Sequence, residues 1–327
     1  MTDPAAGGPL TVRPLRYGAD GLDPVDLETV VGLVARRDLD VLGERDGGPS
    51  DVAWMLGMPT VDREATALIL DGERPVAYVF VENDATARHS FTEVVAPHGP
   101  ARAEAHRVGV AHGLAAARRH RDAAGGGEWS ARAGGWVQDA ELGAVLTEAG
   151  FTPVRRFHRM RIDSSSPEIP AQAPPLPEGV ELVVSDDEAT RRRICDVDND
   201  AFRDHWDFTP RPWDEWWALW ETSRTRDPEG WWLLTVDGED AAICLLDDSL
   251  ADMGDGFVAL LGVRRPFRGR GLARLLLRRA FVRYRDLGRN GTQLGVDAEN
   301  LTGAVALYEG VGMRPVRTFQ SYARDLA

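Results

Sequence analysis

Residues 257–273 of this chain read FVALLGVRRPFRGRGLA, and they decide its fold class. The apolar run Phe257–Val263 predicts a buried strand, and residues 272–284 have the spacing of an amphipathic helix. Between them lies Arg268-Gly269-Arg270-Gly271. Glycines let backbone amides approach a ligand closely, and the start of a helix carries partial positive charge. A strand, a glycine loop and a helix in this order therefore predict a phosphate-binding site.

Two other phosphate motifs do not describe this loop. A dinucleotide-binding fingerprint requires G-x-G-x-x-G, whereas the order here is G-x-G-x-A with arginines between the glycines. A P-loop requires Gly-Lys-Ser/Thr, and the chain contains no lysine. The alternative that stays open is an arginine-rich turn that merely begins a helix.

The stretch resembles a known family. The order R-x-x-G-x-A, from Arg268 to Ala273, after a strand that ends in Gly262-Val263 is similar to the acyl-CoA signature of GNAT acyltransferases. Residues 300–313, NLTGAVALYEGVGM, resemble that family's N-x-x-A-x-x-L-Y-x-x-x-G-F pattern. Ala304 and Pro266 each stand one position later than is usual in the family.

The resemblance implies how acyl-CoA would bind. Amides from Arg268 to Ala273 would hold the CoA pyrophosphate, and the backbone of Leu261 to Val263 would pair with pantetheine and orient the thioester. Asn300 would hydrogen-bond CoA, with a helix N-cap as its alternative role. Acetyl-CoA or another acyl-CoA is the expected co-substrate, and no metal is expected. The cofactor-binding residues predicted in this way are Leu261, Gly262, Val263, Arg268, Gly269, Arg270, Gly271, Leu272, Ala273 and Asn300.

Tyr308 is the predicted general acid. When an amine attacks a thioester, CoA leaves as a thiolate, and a tyrosine O–H beside the sulfur can protonate it. Tyr308 matches the family residue in that role. Ala304, Leu307 and Tyr308 also share one helical face, so the alternative is an aromatic residue of the core.

A general base must accept a proton from the attacking amine. Similar members of the family are expected to carry a glutamate five residues before Gly262, where this chain has Phe257. Asp255 lies two residues earlier, on the same strand face if pairing persists, and is the candidate base. Its alternative is a solvated turn aspartate. Asp252 and His205 are further candidates.

The acceptor site is predicted in the tryptophan-rich segment from 201 to 232. Trp213, Trp216, Trp217 and Trp220 repeat at helical spacing, which is typical either of an apolar groove or of a core stripe. Residues 201–205 resemble the same segment in tandem GNAT proteins of the mycothiol synthase type. A capping or structural role describes His205 equally well. The predicted substrate-binding residues are His205, Trp206, Trp213 and Trp217.

Composition limits the class of protein. A length of 327 residues predicts two domains. The net charge of −14 argues against a nucleic-acid partner. No long apolar run or signal peptide is apparent, so we expect a cytoplasmic protein without a membrane partner. Cys195 and Cys244 suggest neither a disulfide framework nor a zinc cluster.

The two halves of the chain end alike. Residues 150–157 (GFTPVRRF) align with residues 312–319 (GMRPVRTF), and five of the eight positions are identical. This repeat predicts two copies of one fold. At the same offset Tyr308 falls on Leu146, and the phosphate loop falls near residues 106–111, where one glycine remains. The first copy is therefore expected to be catalytically silent.

The predicted architecture is α/β, with two tandem GNAT-like domains, each a mixed, mostly antiparallel sheet flanked by helices. Residues 1–163 would form the degenerate domain, 164–179 a Pro/Ser-rich linker and 180–327 the catalytic domain. The predicted activity is transfer of a short acyl group from CoA to a small-molecule primary amine, by a monomer or homodimer. Open alternatives are mycothiol synthesis, acetylation of an antibiotic or secondary metabolite, protein N-terminal acetylation and a non-catalytic acyl-CoA sensor.

Overall fold

The computed structural model describes residues 8–19, 21–203, 205, 208–221, 225–299 and 303–326. The strands, in chain order, are β1 (Thr11–Pro14), β2 (Tyr17–Gly18), β3 (Gly21–Leu22), β4 (Ala67–Asp71), β5 (Arg74–Asp84), β6 (His89–Val95), β7 (Trp129–Trp136), β8 (Thr152–Asp163), β9 (Val180–Val184), β10 (Arg226–Val236), β11 (Glu239–Asp247), β12 (Asp255–Val263), β13 (Gly291–Asp297) and β14 (Arg314–Leu326). The α-helices are α1 (Pro24–Leu42), α2 (Pro49–Gly57), α3 (Arg102–Ala123), α4 (Ala140–Glu148), α5 (Glu188–Ala201), α6 (Trp213–Glu221), α7 (Leu272–Asp286) and α8 (Ala304–Glu309).

The chain forms two compact units. The first comprises Met1–Arg156 with Phe319–Ala327, and the second comprises Phe157–Thr318. In the first unit the strand order is β1, β4, β5, β6, β7 and then the last part of β14. The pair β6 and β7 is parallel and the other neighbours in this order are antiparallel. Helices α1 and α2 follow the first strands, α3 follows β6, and α4 follows β7.

The second unit repeats this arrangement. Its order is β9, β10, β11, β12, β13 and then the last part of β8, and the parallel pair is β12 with β13. Helices α5 and α6 follow the first strand, α7 follows β12, and α8 follows β13. The prediction of two copies of one mixed, mostly antiparallel fold is confirmed.

Side-chain alternation along β11 divides the core of the second unit between the two faces of its sheet. Ile243 and Leu245 pack with Trp216 of α6 on one face. Cys244 packs with Leu276 of α7 and other residues of α7 and α8 on the opposite face. A ligand that enters between β12 and β13 would therefore meet different helices on its two sides.

Local sequence patterns predict two further elements of the second half, and both are found. The apolar spacing of residues 186–202 predicts a helix, which is α5, and Asp237-Gly238 predicts a hairpin turn, which joins β10 to β11. Both turn residues have positive φ, 51° at Asp237 and 82° at Gly238, as a two-residue hairpin turn requires.

The limits of the compact units differ from those predicted by composition. Residues 157–163 of β8 belong to the second unit, and residues 319–327 belong to the first. The segment 164–179 is part of the second unit rather than a detached linker, because it packs on α7. Arg285 donates from its two terminal nitrogens to the carbonyls of Pro170 (2.8 Å) and Ala171 (2.9 Å), and Ile169 is buried in the core. Within the described ranges, no helix is long and apolar enough to cross a bilayer.

Candidate active site

The sheet of the second unit opens between its two parallel strands. Pairing of β12 with β13 covers Asp255–Val258 against Gly291–Leu294 and stops there, although both strands continue. On its other edge β12 stays paired with β11, so that Leu261 faces Cys244 and Gly262 faces Ile243. The backbone edge of residues 261–263 that points toward β13 is therefore available to pair with an extended ligand.

The glycine loop lies where β12 leads into α7. Gly269 and Gly271 have φ values of 77° and 79°, a conformation that favours glycine. Gly271 is the N-cap of α7, and no side chain caps the helix there. Residues 269–271 are also exposed. Because the first-turn amides of α7 lack a side-chain cap and reach solvent, they can receive a phosphate.

The Arg268 side chain holds this loop in place. Its Nε donates to the carbonyl of Val263 (3.0 Å) and its Nη2 donates to the carbonyl of Ala201 (2.9 Å). Arg268 thus ties the loop to the end of β12 and to the end of α5. The next arginine, Arg270, places its guanidinium 5.3 Å from the ring centroid of Phe267. Leu272 is buried and Ala273 half-buried in the first turn of α7.

Tyr308 packs on the α7 side of the sheet. It is 7% exposed and shares an apolar cluster with Cys244, the strand partner of Leu261. Burial raises the pKa of Tyr308 well above its ordinary value, and nearby Cys244 raises it further. The phenol therefore stays protonated at neutral pH. Its surroundings suit the proton-donor role and the core-packing role together.

Asp255 is engaged at the opposite end of β12. Arg161 donates from Nε (2.7 Å) and Nη2 (3.1 Å) to its two oxygens, and Gln293 donates its amide at 2.7 Å. Asp255 is 4% exposed and lies six residues before Leu261, about 20 Å away at the rise of a strand. This geometry disfavours Asp255 as the base. Asp252, in a turn that precedes β12, is farther still.

The glutamate position of similar family members is occupied differently here. Phe257 stands at this position, and the guanidinium of Arg159 lies 5.0 Å from the centroid of its ring. Both side chains lie on the sheet face of Asp255, because Arg159 and Arg161 alternate with buried Met160 along β8. The strand therefore presents an aromatic ring and a cation where a carboxylate was expected.

A small aromatic group lies over Gly262. A Cβ at Gly262 would stand 3.0 Å from the Ala201 Cβ and 3.1 Å from Phe202 Cε2, so a side chain there would require these neighbours to shift. The Phe202 ring lies 5.6 Å from the His205 ring and 6.1 Å from the Phe208 ring, centroid to centroid. Phe202 and Phe208 were not predicted as site residues. The sequence feature that could have identified them is an aromatic residue three positions before and another three positions after His205.

The tryptophans predicted to line the acceptor site lie away from Gly262. Trp213 and Trp217 stack on each other, with centroids 5.7 Å apart and planes 7° apart. Arg191, at the start of α5, lies 4.2 Å from the Trp217 ring. Since Arg191 and Ala201 are about 15 Å apart along the helix, these rings are remote from Gly262. The structure favours a structural stripe over an acceptor groove. Trp206 and Asn300, also predicted as site residues, lie outside the described residues.

The parted strands, the uncapped glycine loop and the buried tyrosine have the arrangement expected of an acyl-CoA-dependent transferase. Residues 191–313 match the acetyltransferase (GNAT) family. The second unit therefore contains a GNAT acetyltransferase domain, and the chain is an acetyltransferase.

Similar proteins extend over both units. The mycothiol acetyltransferase of Nocardia farcinica is 28% identical over 294 residues, which span 80% of this chain and 91% of that relative. A GCN5-related N-acetyltransferase from Sphaerobacter thermophilus superposes with a TM-score of 0.75 at 22% identity, covering 97% of this chain and 95% of its own. A tandem GNAT protein from the clavulanic acid biosynthesis pathway reaches 0.69 at 17% identity, with 97% and 98% covered. At these identities the two structures show a shared fold.

Proposed function

We propose that this protein transfers an acetyl group from acetyl-CoA directly to a primary amine of a small molecule, and that the reaction takes place in the second unit. The observation that carries the proposal is the opening between β12 and β13. At this opening the strand edge at Leu261 is free to pair with a ligand. The same unit holds the buried, protonated Tyr308 and the uncapped start of α7 at Gly271.

Each residue then has a stated task. The amides around Gly271 bind the pyrophosphate, and the β12 edge at residues 261–263 holds pantetheine extended. The neutral amine attacks the thioester carbonyl carbon, a carbon–nitrogen bond forms and the carbon–sulfur bond breaks. The departing thiolate takes the proton of Tyr308. The amine gives up its own proton to a base.

The first unit serves as a non-catalytic partner in this proposal. Its α3 begins after Ala101, which is in the right-handed helical conformation, and Gly99 is not among the glycines with positive φ. A terminal nitrogen of Arg102 lies 2.7 Å from Asp139, a buried carboxylate that would repel phosphate. Leu146 stands where the second unit has Tyr308. We therefore expect one acyl-CoA per chain.

The name of the Nocardia relative makes mycothiol acetylation the second candidate. Phe257 in place of the expected strand glutamate favours a different acceptor. The acceptor panel should therefore contain the mycothiol precursor beside amino sugars, aminoglycosides, amino acids and a peptide with a free N-terminus.

The test uses the full-length protein with acetyl-CoA and this panel. Thiol release should rise with at least one small amine, and mass spectrometry should show one acetyl group on it. Calorimetry should give one acetyl-CoA site per chain. Gly271→Val, which forces a β-branched residue to positive φ, should weaken binding at least about tenfold. Gly99→Val is the matched control, since a Cβ there has open space.

Three results would contradict these proposals. Acetyl-CoA binding without turnover on any amine would overturn the enzyme in favour of a sensor. Turnover on the peptide alone would overturn the small-molecule acceptor. Two binding sites per chain, or an equal loss of binding in Gly99→Val, would overturn the silent first unit.

A further inference from the structure

We propose that His205 is the general base, the group that takes the proton from the acceptor ammonium. This inference rests on the proposed function and deepens it, because it assigns the step for which Asp255 is badly placed. A positively charged amine has no lone pair with which to attack a thioester, so an alkylamine acceptor requires such a group at neutral pH.

The position of His205 is fixed through Phe202. The backbone N–H of His205 donates to the carbonyl of Phe202 at 2.7 Å, and the two rings lie 5.6 Å apart. The Phe202 ring in turn approaches the Gly262 backbone so closely that a Cβ at residue 262 would be 3.1 Å from it. His205 is thus two close contacts away from the strand edge that orients the thioester. An acceptor amine bound between the imidazole and this edge would pass its proton to a ring nitrogen directly or through one water.

The imidazole is able to accept a proton. It is half-buried, and among the described residues its ring nitrogens have no hydrogen-bonding or ion-pairing partner. A histidine that served as a helix cap or as a link in the core would use at least one ring nitrogen. Ring contact with Phe202 holds the imidazole without consuming either nitrogen.

Three carboxylates, Asp200, Asp297 and Asp255, are poorly placed for the task. Asp200, on the last turn of α5, pairs with Arg264 (2.8 Å) and Arg203 (3.0 Å). Asp297 at the end of β13 is 2% exposed and accepts the backbone N–H of Glu299 at 2.9 Å. Asp255 is about 20 Å away along β12 and is bound by Arg161.

The proposed step balances as follows. A proton passes from the acceptor ammonium to an imidazole nitrogen, and the freed lone pair attacks the carbonyl carbon. The carbon–sulfur bond breaks, and the thiolate receives the Tyr308 proton. As the amide forms, its nitrogen gives up a second proton, which regenerates the Tyr308 phenol through solvent, and imidazolium releases the first proton to solvent. Ammonium and acetyl-CoA thus give the amide, CoA thiol and one H⁺.

The decisive comparison uses two acceptors and the variant His205→Gln, which keeps a polar side chain of similar size but cannot take up a proton. One acceptor is the best alkylamine from the panel. The other is the hydrazide of the same scaffold, whose nitrogen is already neutral at pH 7. For the alkylamine, kcat/KM should fall about 100-fold. For the hydrazide it should change less than about threefold, because no proton must be removed before attack.

Two further measurements distinguish the loss of a base in the His205 variants from a change in their structure. Acetyl-CoA affinity and the thermal midpoint should match the wild type in His205→Gln. Added imidazole should restore alkylamine turnover to His205→Ala in proportion to its concentration. His98→Gln, which replaces an exposed histidine of the first unit, is the matched control and should leave both acceptors unaffected.

The outcomes separate the two proposals. Wild-type protein that acetylates no amine would overturn the proposed function, and the base with it. Active wild type with an unchanged His205→Gln, an equal loss on both acceptors, or no rescue by imidazole would overturn His205 alone.

Discussion

Tyr308 is a side chain for which the sequence allowed two roles. Helical spacing with Ala304 and Leu307 placed it on a buried face, and its position in the motif predicted a proton donor. In the structure one property is compatible with both roles, because burial beside Cys244 keeps the pKa of the phenol high. A donor that remains protonated at neutral pH is ready when the thiolate leaves.

Replacing Tyr308 by Phe should therefore separate chemistry from packing. The ring is kept, so the apolar cluster and the acetyl-CoA affinity should change little. Loss of the O–H should lower kcat about 100-fold, measured by steady-state thiol release. Tyr322→Phe, in the first unit, is the matched control. An unaltered kcat in Tyr308→Phe would remove this residue as the acid.

At the scale of helices and strands, the elements that could be predicted are those determined by residues close together in the sequence. The hairpin at Asp237-Gly238 and the helix α5 follow from turn chemistry and periodicity within a few residues. The stacked tryptophans of α6 have the predicted spacing, but spacing does not tell a groove from a core stripe. That choice depends on neighbours distant in sequence, such as Arg191 and Arg226, which flank Trp217. Pairing of Asp255 with Arg161 was beyond prediction for the same reason.

The packing of α5 against α6 contains a buried acid that makes stability depend on pH. Asp198 is 6% exposed and accepts the indole N–H of Trp216 at 2.8 Å. Burial raises the pKa of Asp198 to about 6, although the Trp216 hydrogen bond and Arg211 oppose the rise. An unfolded aspartate has a pKa of about 3.9, so the native state holds this proton more tightly. The contribution is favourable at low pH and is lost as pH rises through about 6.

Asp198→Asn should consequently stabilise the protein at high pH. The amide stays neutral and its oxygen can still accept from Trp216. Urea unfolding at pH 8 should show a gain of up to about 3 kcal/mol over the wild type, and most of the gain should be lost near pH 4. If Asp198→Asn were instead less stable at pH 8, the ionised carboxylate would be a net stabilising partner of Trp216.

At the scale of the whole molecule, the repeat at residues 150–157 and 312–319 predicted two copies of one fold, and both copies are present. It could not predict which sheet each repeated segment completes, because strand pairing is decided by long-range contacts. The first unit is completed by the part of β14 that starts at Phe319, and the second unit by the part of β8 that starts at Phe157. Composition placed the boundary at the proline-rich segment, which instead packs on α7.

Removing Phe319–Ala327 should therefore weaken the unit that lies farther away in sequence. This segment pairs with β7 from Trp136 to Trp129, and the Phe319 ring meets Trp136 edge-on with centroids 5.4 Å apart. The second unit keeps its own last strand, its glycine loop and Tyr308. Limited proteolysis of the truncated protein should cut first within residues 8–156, while acetyl-CoA affinity stays within about threefold, since local opening follows lost contacts. A truncation of Met1–Pro9, which ends before β1, is the control of equal length. A truncated protein that loses acetyl-CoA binding while its first unit resists protease would show that the terminal strand supports the second unit instead.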